Sequence, residues 1–334
     1  MSRIMKSRHM CRLDFVAMGC HAEILVVGGP QVSGGASGLA TRGRARTLEL
    51  HHLWTRFEPD SDVSRVNAQA GNGATRVDSR TINAALRAVE GWRVTNGSYD
   101  PTVHNALVAY GYDRTFRDMG ARDAQATGAP VSQSSRSACS EIQVDVAAQT
   151  IALPVDVGLD FGGIGKGLAG DMVADELIAL GAVGVMVNIG GDVRVVGEAP
   201  DREWVIAIDD PSPGCRVPNV RLRSGAVAVS STAWRRWSCG DGEAHHIIDP
   251  RTMRPTQLDI VGAVVVAGSG WWAEVLTKAL MVEGPAAVQR HLEPAMSDGF
   301  NGVAHGLVID SSGSVTRSSG FAEFSQSSAM EVIA

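Results

Sequence analysis

The run Asp160-Phe161-Gly162-Gly163-Ile164-Gly165-Lys166-Gly167, continuing into Leu168-Ala169-Gly170-Asp171, sets a lysine inside a glycine-dense turn that opens a helix-like segment. Glycine lets backbone N–H groups approach an anion, a helix N-terminus favours negative charge, and the Lys166 ammonium adds to both. The chemistry this spacing allows is capture of a phosphate-bearing ligand. A P-loop needs Gly five residues before its Gly-Lys pair and Ser or Thr after it; Asp160 and Gly167 stand there, which excludes that motif. The dinucleotide fingerprint G-x-G-x-x-G fits Gly165, Gly167 and Gly170, with 155–159 as its strand. The following apolar run, 184–189, offers Asn188 where an acid for the ribose is expected. The competing reading is that these glycines only let a helix pack closely.

The elements that would position this turn are those of an ordinary globular protein. The chain has 334 residues, 44% apolar and 20% charged, enough for one large domain or two lobes. Its net charge of -6, with basic residues dispersed, supplies no attraction to nucleic acid or to an acidic membrane surface. The cysteines (Cys11, Cys20, Cys139, Cys215, Cys239) are odd in number and widely spaced, suggesting neither a zinc site nor a disulfide framework. Arg3, Lys6, Arg8 and Arg12 have no apolar core behind them, and nowhere do about 18 apolar residues run together. The expectation is a cytoplasmic protein without a membrane segment.

Strands are expected at 22–27, near 185–189, 193–197 and 204–208, then at 226–231, 261–267 and, closing the chain, 306–309. Helices are expected at 39–57 (broken by Pro59), 81–95 (ended by Asn96-Gly97), 165–180 and 271–283. Residues 1–14 read as a disordered or extended N-terminus, 15–324 as the folded domain with a variable surface loop at 113–143, and 325–334 as a flexible tail. Strands in antiparallel-looking groups with helices beside them point to an α+β fold of two lobes rather than a doubly wound sheet.

Several ordered segments together resemble a known family, the FAD:protein FMN transferases of the ApbE type. They are Met18-Gly19, Phe57-Glu58-Pro59-Asp60-Ser61-Asp62-Val63-Ser64-Arg65-Val66-Asn67, Gly97-Ser98-Tyr99-Asp100-Pro101-Thr102-Val103 and 160–171. Asn188-Ile189-Gly190-Gly191-Asp192 and His246-Ile247-Ile248-Asp249-Pro250-Arg251-Thr252 follow. The resemblance implies an ApbE-like two-lobed fold with the flavin in the cleft between lobes. It also implies an activity: FMN passes from FAD to a Thr or Ser hydroxyl of an acceptor flavoprotein or reductase subunit, and AMP leaves. By position, Met18, Phe57, Ser98, Tyr99, Asp100, Asp160, Lys166, His246 and Ile248 correspond to residues lining the FAD pocket. Phe57 and Tyr99 can stack on rings, Asp100 and Asp160 can accept from ring or ribose donors, and Lys166 can neutralise diphosphate charge. The bland alternatives are core aromatics, a turn-forming Asp100 before Pro101, and a solvated Lys166. His246 is the candidate general base, since an unperturbed imidazole takes a proton near neutral pH. His245 reads as structural, and the competing reading of His246 is a strand residue bonded to Asp249.

The sequence departs from the family where Mg²⁺ is implied. Its ligands would map to the Gly163 carbonyl and to an Asp and a Thr four apart, but Glu274 and Lys278 stand at those two positions. Glu274 remains a possible oxygen ligand; a charged Lys278 is not one. An ammonium about 4 Å from a divalent cation is repelled by roughly 8 kcal/mol at an effective dielectric near 20. Three readings follow: an i, i+4 intrahelical pair, a lysine replacing the metal's charge, or Thr277 ligating after a one-residue shift. A smaller departure is Met253, where glycine commonly follows Asp-Pro-x-Thr. Function classes left open beside the transferase are an FAD-binding carrier or sensor and an FAD diphosphate hydrolase.

Overall fold

Along 226–229 and 263–267 successive side chains enter opposite cores: Ala226, Ala228, Ala263 and Val265 one, Val227, Val229, Val264 and Val266 the other. A strand with period-two apolar positions on both sides must be buried on both faces. The computed structural model describes residues 10–28, 34–119, 136–211, 214, 216–240, 242–292 and 304–324. Its centre is an eight-stranded sheet of β1 (Met10–Ala17), β2 (Cys20–Gly28), β3 (Ala182–Ile189), β4 (Asp192–Gly197), β5 (Gly225–Ser231), β6 (Ile260–Ala267), β7 (His305–Asp310) and β8 (Val315–Arg317). The strands lie in chain order and each neighbouring pair is antiparallel. An α+β fold follows, and among the described residues the parallel βαβ unit of a dinucleotide-binding fold is not formed.

The helices are α1 (Gly35–Trp54), α2 (Asp62–Ala68), α3 (Ser79–Val94), α4 (Gly165–Ala179) and α5 (Gly270–Glu283), with shorter helical segments between and after them. α1, α4 and α5 bury Leu50, Leu177, Val173, Leu276 and Leu280 against the core face that also holds Ile24, Val187 and Val265. The glycine-dense turn has a packing role where α4 meets α5. A Cβ on Gly167 would lie 2.2 Å from the Gly270 carbonyl oxygen, and one on Gly170 3.3 Å from Arg194 Cβ. Asp171 then caps α5 from outside, accepting from the N–H groups of Gly270 at 2.7 Å and Trp271 at 2.9 Å.

The expected elements form with ends shifted by a few residues, and the structure differs from expectation elsewhere. The apolar run 155–159 is not a strand, because Pro154 has no N–H to give and Asp156 turns the chain at φ 60°. Residues 10–14 belong to β1, and β8 follows the strand expected to close the chain. Within 113–143, Phe116–Met119 is helical and Cys139–Glu141 is a 3₁₀ turn. Residues 1–9, 120–135 and the tail 325–334 lie outside the described residues. Among the described residues no helix is long and apolar enough to cross a membrane. Met253 does adopt the left-handed conformation, at φ 54°, and is buried beside Ile248 and Trp237. That conformation costs about 1–2 kcal/mol, an amount that burying the side chain offsets at about 1.5–3 kcal/mol.

Gly167→Ala is predicted to destabilise by about 3 kcal/mol or more, since the clash is with backbone that cannot rotate away. Urea unfolding measures this as a lowered midpoint; a midpoint equal to the parent's would refute the close helix crossing.

Candidate functional site

Two tight hairpins shape the site from below. Ala17 pairs with Cys20, leaving Met18-Gly19 as a two-residue loop with both φ positive, 51° and 69°. That is the hairpin geometry matching strand twist, and it holds a methionine in a conformation L residues avoid. The Met18 N–H donates to His51 Nδ1 at 3.1 Å, fixing the loop against the last turn of α1. Ile189 likewise pairs with Asp192 across Gly190-Gly191, at φ 61° and 91°. A Cβ on Gly190 would meet Cys20 Sγ at 2.7 Å. Only glycine fits there, and the turn delivers Asp192 to Lys166.

Above these hairpins lies a cavity of about 310 Å³, within the size range of small-molecule sites. It is lined by all nine residues expected around a flavin: Met18, Phe57, Ser98, Tyr99, Asp100, Asp160, Lys166, His246 and Ile248. Gly163 and Lys278, expected at the metal, line it as well, whereas Glu274 is fully buried behind the wall.

The carboxylates nearest the cavity already have partners. Asp160 accepts from Arg56 Nε at 2.7 Å and from the Gly162 N–H at 2.5 Å, so it shapes the turn and orients Arg56. Asp100 accepts from the Thr102 N–H at 2.7 Å, the Thr102 hydroxyl at 2.5 Å and Ser137, which is the turn-forming alternative realised. Burial nonetheless pushes the Asp100 carboxyl above its usual range. The Ser98 hydroxyl donates to Glu283 at 2.5 Å. Tyr99 is buried with a hydroxyl that has no hydrogen-bond partner among the described residues, and burial keeps it protonated as a donor. The Phe57 ring packs under the Arg56 guanidinium at 4.3 Å and against Tyr112 at 5.9 Å.

Behind the turn sits a compact charge cluster. Lys166 donates to both Asp192 and Glu274, and the second Glu274 oxygen accepts from the Gly167 N–H at 2.9 Å. Burial opposes the Lys166 charge, yet Asp192 and Glu274 together hold its pKa above the ordinary lysine value. Burial likewise opposes the Glu274 anion, and Lys166 and Lys278 keep its pKa below the usual carboxylate value. Lys278 Nζ donates to Ser230 Oγ at 2.9 Å and lies 3.8 Å from Glu274 Oε1, so the intrahelical pair is the weaker of the two contacts Glu274 makes with lysine. Because Lys166 is matched by two carboxylates, the cation it was expected to offer a diphosphate is already paired.

Gly163, Glu274 and Lys278 are neighbours, since a Cβ on Gly163 would lie 3.4 Å from Lys278 Cγ. These residues do not fit Mg²⁺. Both Glu274 oxygens are engaged and the side chain is fully buried. A cation bonded to Glu274 Oε1 at about 2.1 Å would stand within about 6 Å of the Lys278 ammonium. Repulsion from that ammonium alone is about 5 kcal/mol at an effective dielectric of 20. Thr277 does not take the metal's part: it is fully buried, donating to the Glu274 carbonyl at 2.7 Å and sharing a hydrogen bond with Ser230 at 2.7 Å.

His246 faces the cavity with its Nδ1 buried and unpartnered among the described residues. Asp249 binds Arg251 instead, at 2.9 and 2.8 Å, which removes the alternative of a His246–Asp249 bond. His245 is the structural histidine, with Nε2 on the Thr256 carbonyl at 3.2 Å and Nδ1 accepting from the Ile247 N–H at 3.3 Å. Burial, then Arg235, Lys278, His245 and Lys166, hold the His246 pKa well below the usual histidine value. The imidazole is therefore neutral at neutral pH.

Arg56, Arg235 and Asp192 also build the site, and sequence reasoning gave none of them a role. Arg56 directly precedes Phe57, and Asp192 ends the Asn188 to Asp192 segment, so position within those segments was the available signal. Arg235, which donates to Cys20 Sγ at 2.9 Å, sits in Trp234-Arg235-Arg236-Trp237, where nothing distinguishes it from its neighbour.

Comparison with known proteins gives the family and the fold. A Vibrio cholerae protein named FAD:protein FMN transferase is 28% identical over 242 residues, covering 71% of this chain and 70% of that protein. A Rhodobacter capsulatus protein of the same name is 28% identical over 272 residues, 81% of this chain but only 51% of that longer protein. The crystal structure of an ApbE protein from Thermotoga maritima superposes with a TM-score of 0.79 at 22% identity, covering 95% of this chain and 100% of that one, and so shares its fold. The family model described as ApbE family matches residues 18–300, the span that carries every cavity residue named above: the chain belongs to the ApbE family.

Proposed function

We propose that this protein is an FAD:protein FMN transferase. The hydroxyl oxygen of a Thr or Ser on an acceptor protein attacks the FMN phosphorus of FAD, a P–O bond forms, the diphosphate P–O bond breaks, and AMP leaves. The proton of the attacking hydroxyl goes to His246. The observation that carries this reading is a neutral His246, its buried Nδ1 without a partner among the described residues, lining the same cavity as Lys278 and the aromatic residues Phe57 and Tyr99. In it, Phe57, Tyr99 and Ile248 give the isoalloxazine an apolar surface, the Tyr99 hydroxyl donates to it or to the ribityl chain, and the polar end receives the diphosphate. The acceptor is a cytoplasmic flavoprotein or reductase subunit. The Glu274–Lys278 arrangement, which does not fit a metal, favours one second reading, an FAD-binding carrier or sensor.

Incubation with FAD and a Thr-containing acceptor peptide, in EDTA or in Mg²⁺, separates the readings when nucleotides and peptide are resolved by chromatography. AMP with flavinylated peptide is expected. AMP with free FMN would make the protein a hydrolase, and intact bound FAD in both conditions would make it a carrier.

His246→Ala should leave FAD affinity near that of the parent and lower turnover about 10²–10⁴-fold, the usual contribution of a general base; equal loss in both would remove that role. Because the folded pKa lies below 6.5, the base is unprotonated through that pH, so kcat/KM should stay level as pH falls from 8 past 6.5. A half-loss centred at or above pH 6.5 would contradict it.

A further inference from the structure

We infer that the Lys278 ammonium takes the place of a divalent cation, so that this chain holds the diphosphate of FAD directly and without metal. The inference rests on the transferase reading above. Three observations converge. The buried carboxylate at the metal position is filled, one oxygen by Lys166 and the other by the Gly167 N–H. The threonine one residue before Lys278 points its hydroxyl to the Glu274 carbonyl and Ser230, away from the cavity lining.

Lys278 itself lines the cavity beside Gly163, Lys166 and His246. Its ammonium has three protons; it meets Ser230 Oγ at 2.9 Å, Thr277 Oγ1 only at 3.4 Å and Glu274 Oε1 only at 3.8 Å. Donor capacity remains for a phosphate oxygen. Charges within the cluster sum to zero, Lys166 and Lys278 against Asp192 and Glu274, so the cluster is complete without a further dication. Arg235 adds positive charge at the same cavity. Burial lowers the Lys278 pKa, a cost that an incoming diphosphate anion would relieve.

The test uses the full chain and reads binding rather than transfer. Mn²⁺ is titrated into protein with FAD and followed by electron paramagnetic resonance, with FAD alone as the reference. FAD affinity is measured by calorimetry in EDTA and in Mg²⁺, for the parent and for Lys278→Met. The parent should bind no Mn²⁺ beyond the FAD reference, and its FAD affinity should be the same in EDTA and Mg²⁺. Lys278→Met should weaken FAD by about tenfold to a hundredfold, as expected for losing a charge-assisted bond to phosphate, while riboflavin binding is retained. One Mn²⁺ per chain in the parent complex, an FAD affinity that collapses in EDTA, or full FAD affinity in Lys278→Met would each overturn the proposal. The first two outcomes need no variant, so a Lys278→Met chain that fails to fold leaves the test decisive. Tight FAD binding in EDTA, with no flavin transfer in either EDTA or Mg²⁺, would overturn the transferase reading alone, and no FAD binding in either condition would overturn both.

Discussion

A carboxylate with no solvent exposure, Glu274 on α5, is the constraint on which the rest of this structure turns. A buried anion must be paired and hydrogen-bonded or the fold loses several kcal/mol. Its pairing reaches across the molecule: Lys166 and the Gly167 N–H come from α4, and Lys166 extends the link to Asp192 at the start of β4. Two helices and a strand are therefore held in register by charge as well as by the close Gly167–Gly270 crossing. The left-handed Gly190-Gly191 turn is part of the same arrangement, because it lets Asp192 reach back while Cys20 passes beneath.

The cavity inherits its character from that cluster. One wall is the neutral network of two lysines and two carboxylates, with Lys278 at its surface. Phe57, Tyr99, Tyr112 and Ile248 give the same cavity an aromatic and apolar surface, and Tyr99 reaches the Gly163 position beside Lys278. Arg56 also lines the cavity, bonded to Asp160 and stacked on Phe57 and Tyr112. His246 also lines the cavity, its buried Nδ1 without a partner among the described residues. A cavity of that mixed polar and aromatic lining suits a ligand that joins a flat ring system to a diphosphate.

Much of this was legible in the sequence because it is local. The helix end at Asn96-Gly97, the buried run 261–267 and the nine cavity residues all follow from short segments, whereas the first helix stops at Trp54, before Pro59 is reached. What was not legible depends on pairing between distant residues. Lys166 reads as a phosphate ligand in isolation, and only the fold brings it to Asp192 and Glu274, 26 and 108 residues away. β1 is an edge strand whose alternation of Cys11, Leu13 and Phe15 with Arg12 and Asp14 is diluted by charge. The run 155–159 is apolar enough for a strand, but its neighbouring proline and left-handed Asp156 override the pattern. The fingerprint glycines have the right spacing for a nucleotide turn, yet Gly167 and Gly170 are needed where backbones and side chains crowd.

The claim at the centre of this account is that a lysine has replaced a metal in the diphosphate site. A crystal structure of the protein grown with FAD and Mn²⁺, with anomalous data collected for manganese, tests it most directly. The account predicts the diphosphate in hydrogen-bond contact with Lys278, Glu274 still bonded to Lys166, and no anomalous peak between them. A manganese peak at about 2.1 Å from a Glu274 oxygen, with Lys278 displaced, would contradict it.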